Sequence, residues 1–372
     1  MIKYSAPCLF GLEGPVADEL RRLGMSDVLA DNGRVGFSGS AADLARANIS
    51  LRTAERVLVE VGSFPAPSFD ALFEGVKALP WENYIPVTGA FPVRGHSLDS
   101  ALHSIPDCQR IVKKALAERL GSKYGQSWLP EDGALYQVQF AIMKDRCVMY
   151  IDSSGAGLHK RGYRPAGGDA PLRETLAAGM VSISKYRGRG DFADPFCGSG
   201  TIAIEAALMA KNRAPGLNRT FSAEAWRDSA IGLSSEEWHR IREEAKSREF
   251  DGDYSILGSD IDPRAVETAK ANANRAGVAD IARFETGDAR KFAGVSERGT
   301  LISNPPYGER LMEPREAEQL YREFGAAVRE LEHWHIYLLS PHPEFENIFG
   351  KKANKRRKLY NGMIRCDLYI YN

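Results

Sequence analysis

The sequence predicts an α/β protein: a Rossmann-like, seven-stranded, doubly wound sheet in its C-terminal half, preceded by an α+β region. Three observations carry this expectation. From residue 192 onward, short apolar runs alternate with helix-like stretches, as in βα units of a parallel sheet. The chain ends on two strand-like runs joined by Asn361-Gly362, a tight hairpin signal that adds an antiparallel pair. Before residue 156 the alternation is absent, and Pro and Gly punctuate short strands and helices.

Taken in order, the N-terminal part predicts strands at 57–61, 136–140 and 146–151, with helices at 69–78 and 108–120. The C-terminal part opens with a strand at 192–196 and an Ala/Ile/Leu-rich helix at 199–210. A strand at 254–260 follows, then a helix starting at Pro263, its favoured first position, and stopping at Gly277. Strands at 281–285 and 300–303, a helix at 316–331 and a strand at 334–339 continue the pattern. Strands at 358–360 and 364–371 close it. Residues 212–249 are polar and interrupt the alternation, as an insertion with some helix would.

Composition narrows the function. The 372 residues suffice for two or three domains, and 43% hydrophobic with 26% charged residues is ordinary for a globular chain. The net charge is zero, so any polyanion site is local rather than global. Cys8, Cys108, Cys147, Cys197 and Cys366 are scattered, odd in number and never spaced Cys-x-x-Cys. That pattern argues against a disulfide framework or zinc site and for a reducing cytoplasm. No signal-peptide h-region follows Met1, and no apolar run reaches the ~18 residues of a membrane span.

Four strand ends carry the chemistry. Asp194-Pro195-Phe196-Cys197-Gly198-Ser199-Gly200-Thr201 joins the first strand of the alternation to its helix. The glycines permit a tight turn and close ligand approach, and the helix N-terminus offers free N–H groups to a carboxylate. The methionine end of S-adenosylmethionine (SAM) would suit it, and so would a dinucleotide. In Ser259-Asp260-Ile261-Asp262, Asp260 ends the second strand, where a carboxylate holds ribose hydroxyls in either class. Asp262 precedes Pro263 and has a structural use as a helix N-cap. Asp288, in Gly287-Asp288-Ala289 at the third strand end, can take an adenine amino group or serve as a turn residue.

The fourth end, Asn304-Pro305-Pro306-Tyr307, discriminates. An exocyclic amine on a nucleobase is a poor nucleophile, because its lone pair is delocalised into the ring. Its methylation needs both N–H groups gripped and the nitrogen aimed. The Asn304 side-chain oxygen and the Pro305 carbonyl are adjacent acceptors, and two prolines stiffen the turn. Tyr307 offers a ring on which a base can stack. A Pro-rich turn after a strand is the plain alternative, but a nicotinamide enzyme has no reason to end a strand this way.

Two basic segments are candidate RNA contacts. One is the helix at 108–120 with Arg110, Lys113 and Lys114, after Arg94, His96 and His103. The other is the run 351–358 with Lys351, Lys352, Lys355, Arg356 and Arg357, the densest charge cluster in the chain. Solvated surface is the alternative for both.

These blocks, together with His159-Lys160-Arg161-Gly162-Tyr163-Arg164, Ala170-Pro171-Leu172-Arg173-Glu174-Thr175-Leu176-Ala177 and the continuation Gly308-Glu309-Arg310, resemble the THUMP-domain RNA guanine-N2 methyltransferases. The likeness is greatest to the N-terminal methyltransferase half of the bacterial enzymes that form N2-methylguanosine in 23S ribosomal RNA, and it covers essentially the whole chain. It implies a ferredoxin-like segment at 1–58, a THUMP RNA-binding domain at 59–155 and a SAM-dependent methyltransferase domain at 156–372. It implies catalytic roles for Asn304, Pro305, Pro306 and Tyr307. Cofactor contacts would come from Asp194, Phe196, Gly198, Ser199, Gly200, Thr201, Asp260, Ile261, Asp288, Ala289 and Asn304. SAM would leave as S-adenosylhomocysteine, without a metal. The partner would be RNA, ribosomal or transfer, with no membrane; the motif also serves adenine N6. A ribosome-assembly factor that binds RNA without catalysis is the non-enzyme alternative, and oligomeric state stays open.

Overall fold

The computed structural model describes residues 1–165, 172–307 and 314–372. The readings placed on Ala170, Pro171, Gly308, Glu309 and Arg310 lie outside the described residues.

Two seven-stranded sheets organise the chain. The first is built from β1 (Ile2–Pro7), β2 (Ser26–Asp31), β3 (Arg34–Gly39), β4 (Leu58–Pro65), β5 (Val93–Leu98), β6 (Gln137–Met143) and β7 (Arg146–Asp152). The second holds β8 (Asp191–Asp194), β9 (Ile256–Asp260), β10 (Ala282–Thr286), β11 (Arg298–Ser303), β12 (His333–Ser340), β13 (Lys355–Asn361) and β14 (Ile364–Tyr371). The helices are α1 (Glu13–Arg22), α2 (Ala41–Ser50), α3 (Phe69–Ala78), α4 (Ile105–Tyr124), α5 (Glu174–Ser184), α6 (Thr201–Ala210), α7 (Ser235–Lys246), α8 (Pro263–Ala276), α9 (Pro314–Ala327) and α10 (Phe345–Phe349).

The first sheet runs β2-β3-β1-β4-β7-β6-β5. The two N-terminal segments therefore share one sheet: β4 pairs with β1 on one side and β7 on the other. This joint covers an edge that either segment alone would expose. Strand alternation puts Tyr4, Ala6, Val138, Phe140, Ile142, Cys147, Met149 and Ile151 into the core beneath the helices.

The second sheet runs β10-β9-β8-β11-β12-β14-β13, parallel from β10 to β12 and antiparallel through the closing hairpin. Local chemistry sets its helices. Asp262 caps α8 by accepting the Arg264 N–H at 2.9 Å, Pro263 opens the helix, and Gly277 (φ +72°) closes it. Within the insertion, Ser234 and Glu237 form a capping box on α7, and Arg46 of α2 reaches Glu244 of α7 at 3.5 Å. Strand β13 starts earlier than the sequence suggests. Lys355, Arg356 and Arg357 pair with β14 along the sheet edge, where charged side chains hide strand alternation and discourage edge-to-edge association. All five cysteines are free and buried. No described helix is long and apolar enough to cross a membrane.

Candidate functional site

Strand order brings the expected residues into one row. β10, β9, β8 and β11 are consecutive neighbours, and the chain reverses direction across the sheet between β8 and β11. Ligands in open α/β sheets sit at the carboxyl ends of strands beside such a switch point. Asp288, Asp260, Asp194 and Asn304 follow or end those four strands.

The glycine loop is locked to the next strand. The Gly198 N–H donates to Asp260 Oδ2 at 2.9 Å, and the Asp262 N–H donates to Oδ1 at 3.0 Å. Asp260 thus fixes the loop that it flanks. Gly200 adopts φ +84°, and a Cβ there would lie 2.9 Å from that of Ala269. Gly198 is at φ +51°, and a Cβ there would meet nothing within 4 Å, so its backbone borders open space. Asn272 donates to the Ser199 carbonyl at 2.8 Å, Ser199 and Thr201 hydroxyls lie 3.4 Å apart, and Thr201 begins α6 as a buried residue. Phe196 sets its ring edge-on to Phe324 at 5.0 Å.

Asp194 ends β8 and is 1% exposed. Its Oδ1 accepts Ser303 Oγ–H at 2.5 Å and the Phe196 N–H at 3.3 Å, which ties β8 to β11. Its Oδ2 is buried with no partner among the described residues. Burial pushes this carboxyl up to about 7; the Ser303 and Phe196 bonds oppose the shift and the Asp260 charge adds to it.

Across from it, Asn304 Oδ1 is also buried without a partner among the described residues. The turn after it is anchored from two sides. Tyr321 donates its hydroxyl to the Pro306 carbonyl at 2.8 Å, and Asn361 Nδ2 donates to Tyr307 Oη at 2.7 Å. Burial pushes the Tyr307 phenol up to about 12, against the Asn361 bond. Sequence reasoning read Asn361 only as a turn residue and gave Ser303 and Tyr321 no part. Their strand-end and helix positions held no signal of the contact.

The outer residues are placed differently. Ile261 is 65% exposed, an apolar side chain left open beside the loop. Ala289 is buried, whereas Asp288 caps the 3₁₀ turn Ala289–Lys291 and pairs with Arg290 at 2.7 Å. That pairing holds the Asp288 carboxyl below its usual range.

The family model for the RMKL-like methyltransferase domain matches residues 161–370. The chain belongs to the RMKL-like methyltransferase family. Models for the RlmL ferredoxin-like domain and the THUMP domain match residues 3–58 and 66–152. YpsC of Bacillus subtilis, named as a candidate RNA methyltransferase, is 46% identical over 100% of this chain and 96% of its own length. The ribosomal RNA large subunit methyltransferase K/L of Syntrophotalea carbinolica is 34% identical over 100% of this chain, which spans only 53% of that protein. Two solved structures superpose with TM-scores of 0.93 over 100% of the chain. One, from Listeria monocytogenes, is 46% identical, covered over 96%, and described as a predicted N6-adenine-specific DNA methylase. The other, SMU.472, is 40% identical, covered over 97%, and described as a candidate methyltransferase complexed with S-adenosylhomocysteine.

The expected RNA contacts do not gather at that row. Lys113 donates to both Glu131 carboxylate oxygens at 2.6 Å and lies 3.5 Å from the Phe91 ring. Arg110 pairs with Asp107, and Lys114 lies 4.0 Å from Glu118. In the second basic run, Arg356 pairs with Glu346 and covers the Tyr369 ring at 5.2 Å. Its strand partners place Arg356 level with Ser303, at the carboxyl end of β11. Lys351 instead lies over Tyr371, which pairs with Ile336, two residues before the Arg356 level on β12. Lys352, Lys355 and Arg357 are exposed, with Lys355 level with Tyr337 and Arg357 level with Leu339 of β12.

Proposed function

We propose that this chain transfers the methyl group of SAM to the exocyclic N2 amine of a guanine in large-subunit ribosomal RNA. The observation that carries the chemistry is the buried Asn304 Oδ1, one residue before Pro305, which like Asp194 Oδ2 on the neighbouring strand has no partner among the described residues. A buried acceptor without a partner costs ~1–3 kcal/mol, so a ligand donor there recovers what folding gave up.

The residues fit SAM at three points. Open space beside Gly198 admits a ligand against the loop backbone, Asp194 Oδ2 suits an ammonium group, and the exposed Ile261 offers an apolar rest for an adenine ring. Asp260, Ser199 and Thr201 complete the cradle, with Phe196, Asp288 and Ala289 at its margin. When bound, SAM supplies an electrophilic methyl on a sulfonium. The protein's part is positioning. Asn304 and the Pro305 carbonyl accept the two N–H groups of the amine and draw density onto its nitrogen. Pro306, held through Tyr321, keeps the turn rigid, and Tyr307 stacks against a base extruded from its helix at a cost of a few kcal/mol.

Large-subunit ribosomal RNA as substrate rests on the names of the K/L relatives, which this chain matches over its full length but spans only by about half, and guanine N2 rests on the resemblance of the sequence blocks to the guanine-N2 methyltransferases. We divide the chain into a ferredoxin-like segment (1–58), an RNA-gripping THUMP domain (59–155) and a catalytic domain (156–372). Lys352, Lys355 and Arg357 are offered as phosphate contacts. The test is nucleoside mass spectrometry on RNA from a deletion strain after incubation with protein and isotopically labelled SAM. Labelled N2-methylguanosine in the large-subunit fraction is the expected result. Label in N6-methyladenosine, or in transfer RNA alone, overturns the substrate and keeps the chemistry; no label in any fraction overturns both.

A further inference from the structure

The first sheet has two faces of opposite character. One is covered by α3 and α4, and the cations of α4 are largely spent there: Arg110 on Asp107, Lys113 on Glu131 and Arg119 on Glu82 at 2.6 Å. The other face carries no described helix. Strand alternation puts Lys3, Arg34, Arg94, His96 and Arg146 on it.

The side-chain bonds agree that these residues share one face. Arg34 of β3 donates to the Tyr150 hydroxyl of β7 at 2.9 Å, although β1 and β4 lie between those strands. Two side chains span that gap only if the sheet curls, so the open face is a trough. Packing around His96 and, second, the Arg34 charge hold the imidazole below its ordinary value, which places β3 and β5 within electrostatic reach across the trough. Arg146 donates to Ser63 Oγ at 2.9 Å and thereby lies along the surface. Lys3, Arg94 and His96 are exposed. Among the described residues, no carboxylate forms a salt bridge with Lys3, Arg34, Arg94 or Arg146. Asp31 and Glu60 also lie on this face, beside Arg34 and Tyr150, and Asp152 at its edge is neutralised by Arg56. The floor between the charges is the small apolar cluster of Leu58, Ala141 and Tyr150.

We infer that this trough, rather than the α4 surface, is where the N-terminal half holds an RNA backbone. The inference rests on the reading of RNA as substrate. Charge complementarity selects the occupant: unpaired guanidinium groups on a concave sheet match a chain of phosphates, and an exposed imidazole beside them offers a face to a base. The trough belongs to both N-terminal segments, since Lys3 and Arg34 come from one and Arg94, His96 and Arg146 from the other. It therefore explains why they share a single sheet.

The experiment measures binding of the full chain to protein-free large-subunit ribosomal RNA across a salt series. Arg94→Ala/Arg146→Ala should flatten the slope of log affinity against log salt by about 1.4 to 1.8, which is about 0.7 to 0.9 for each phosphate no longer neutralised. Arg110→Ala/Lys114→Ala, on α4, should change it by under ~0.5. Both pairs are exposed, and SAM binding by calorimetry checks that each variant folds. An unchanged slope in the Arg94/Arg146 variant, while wild type binds and methylates RNA, overturns the trough and hands this face to another partner. Wild-type protein that neither binds nor methylates any RNA overturns the underlying reading, and the trough with it.

Discussion

Two of the clusters of buried polar side chains in this molecule are finished differently. One is a seam between the halves. Arg161, 4% exposed, uses Nε and both Nη groups: on Glu205 at 3.3 and 3.4 Å, on the Leu158 carbonyl at 2.7 Å, and on the Arg52 carbonyl. Tyr163 adds a bond to Glu205 at 3.3 Å, and nearby Glu19 accepts the Arg52 and Thr53 N–H groups at 2.7 and 3.4 Å. Arg52 Nη1, itself buried, is the one atom of this group left over among the described residues. The other cluster is the row at the second sheet's carboxyl end, where Asp194 Oδ2 and Asn304 Oδ1 both lack partners among the described residues. The seam is nearly saturated where it joins segments, and the row is left with two free acceptors among the described residues where a ligand would enter. Between these two clusters, the completeness of hydrogen bonding differs more than burial does.

That distinction breaks most readily at the seam. Glu205→Ala leaves the Arg161 guanidinium buried and unpaired, which costs about 3–5 kcal/mol. Denaturant unfolding should show that loss, while methyl transfer per folded molecule stays near wild type below the transition. A folded variant with abolished transfer would make the seam part of the chemistry and end the contrast.

At the site the effects should reverse. Asn304→Ala removes an acceptor matched to the amine and should slow single-turnover transfer by roughly 10²–10³-fold. SAM affinity by calorimetry should hardly move, and stability should change little because the packing lost on truncation offsets the unpartnered acceptor removed. Activity within about threefold of wild type would refute the role given to Asn304.

Asp194 sharpens the comparison through pH. Its folded value of about 7 lies above the ordinary 3.8, so the ligand-free protein favours the protonated form only below about pH 7. The stability this group contributes is full below about pH 4 and is lost as pH rises through about 7, by ~1.4 kcal/mol per unit within that window. An ammonium on Oδ2 needs the ionised form, so SAM affinity should rise about tenfold per unit toward pH 7 and level above it. Asp194→Asn should remove both slopes and stabilise the ligand-free protein at neutral pH. A pH-independent affinity in wild type would detach Asp194 from the ligand.

How legible this was in the sequence depended on whether the chemistry was local. The βα alternation, Pro263 and Gly277 around α8, and the Asn361-Gly362 hairpin are written in adjacent residues, and the strand ends followed from them. The glycine loop and Asn304-Pro305-Pro306-Tyr307 are likewise contiguous. What stayed hidden depends on strand order. Ser303 meets Asp194 because β11 lies beside β8, and Arg161 meets Glu205 across 44 residues of chain. The ion pairs of the basic helix stayed hidden for the same reason: the partners of Lys113 and Arg119 are Glu131 and Glu82, too distant in sequence to be read as pairs.

Asn361 tests whether a bond between the two kinds of cluster can be assigned. It is a turn residue by position, yet its Nδ2 donates to the Tyr307 hydroxyl at 2.7 Å, and Tyr307 belongs to the proposed base platform. If the bond positions the ring, Asn361→Ala should raise the KM for RNA by about fivefold, near 1 kcal/mol, with a smaller change in kcat and none in SAM affinity. The alanine could also act by weakening the turn. Asn361→Asp separates the two effects, because aspartate tolerates the same turn conformation and accepts a bond from the phenol, restoring the interaction with the donor reversed. Recovery of KM by aspartate assigns Asn361 to the site. Equal KM values for the alanine and aspartate variants return it to the hairpin, leaving Tyr307 held by packing alone.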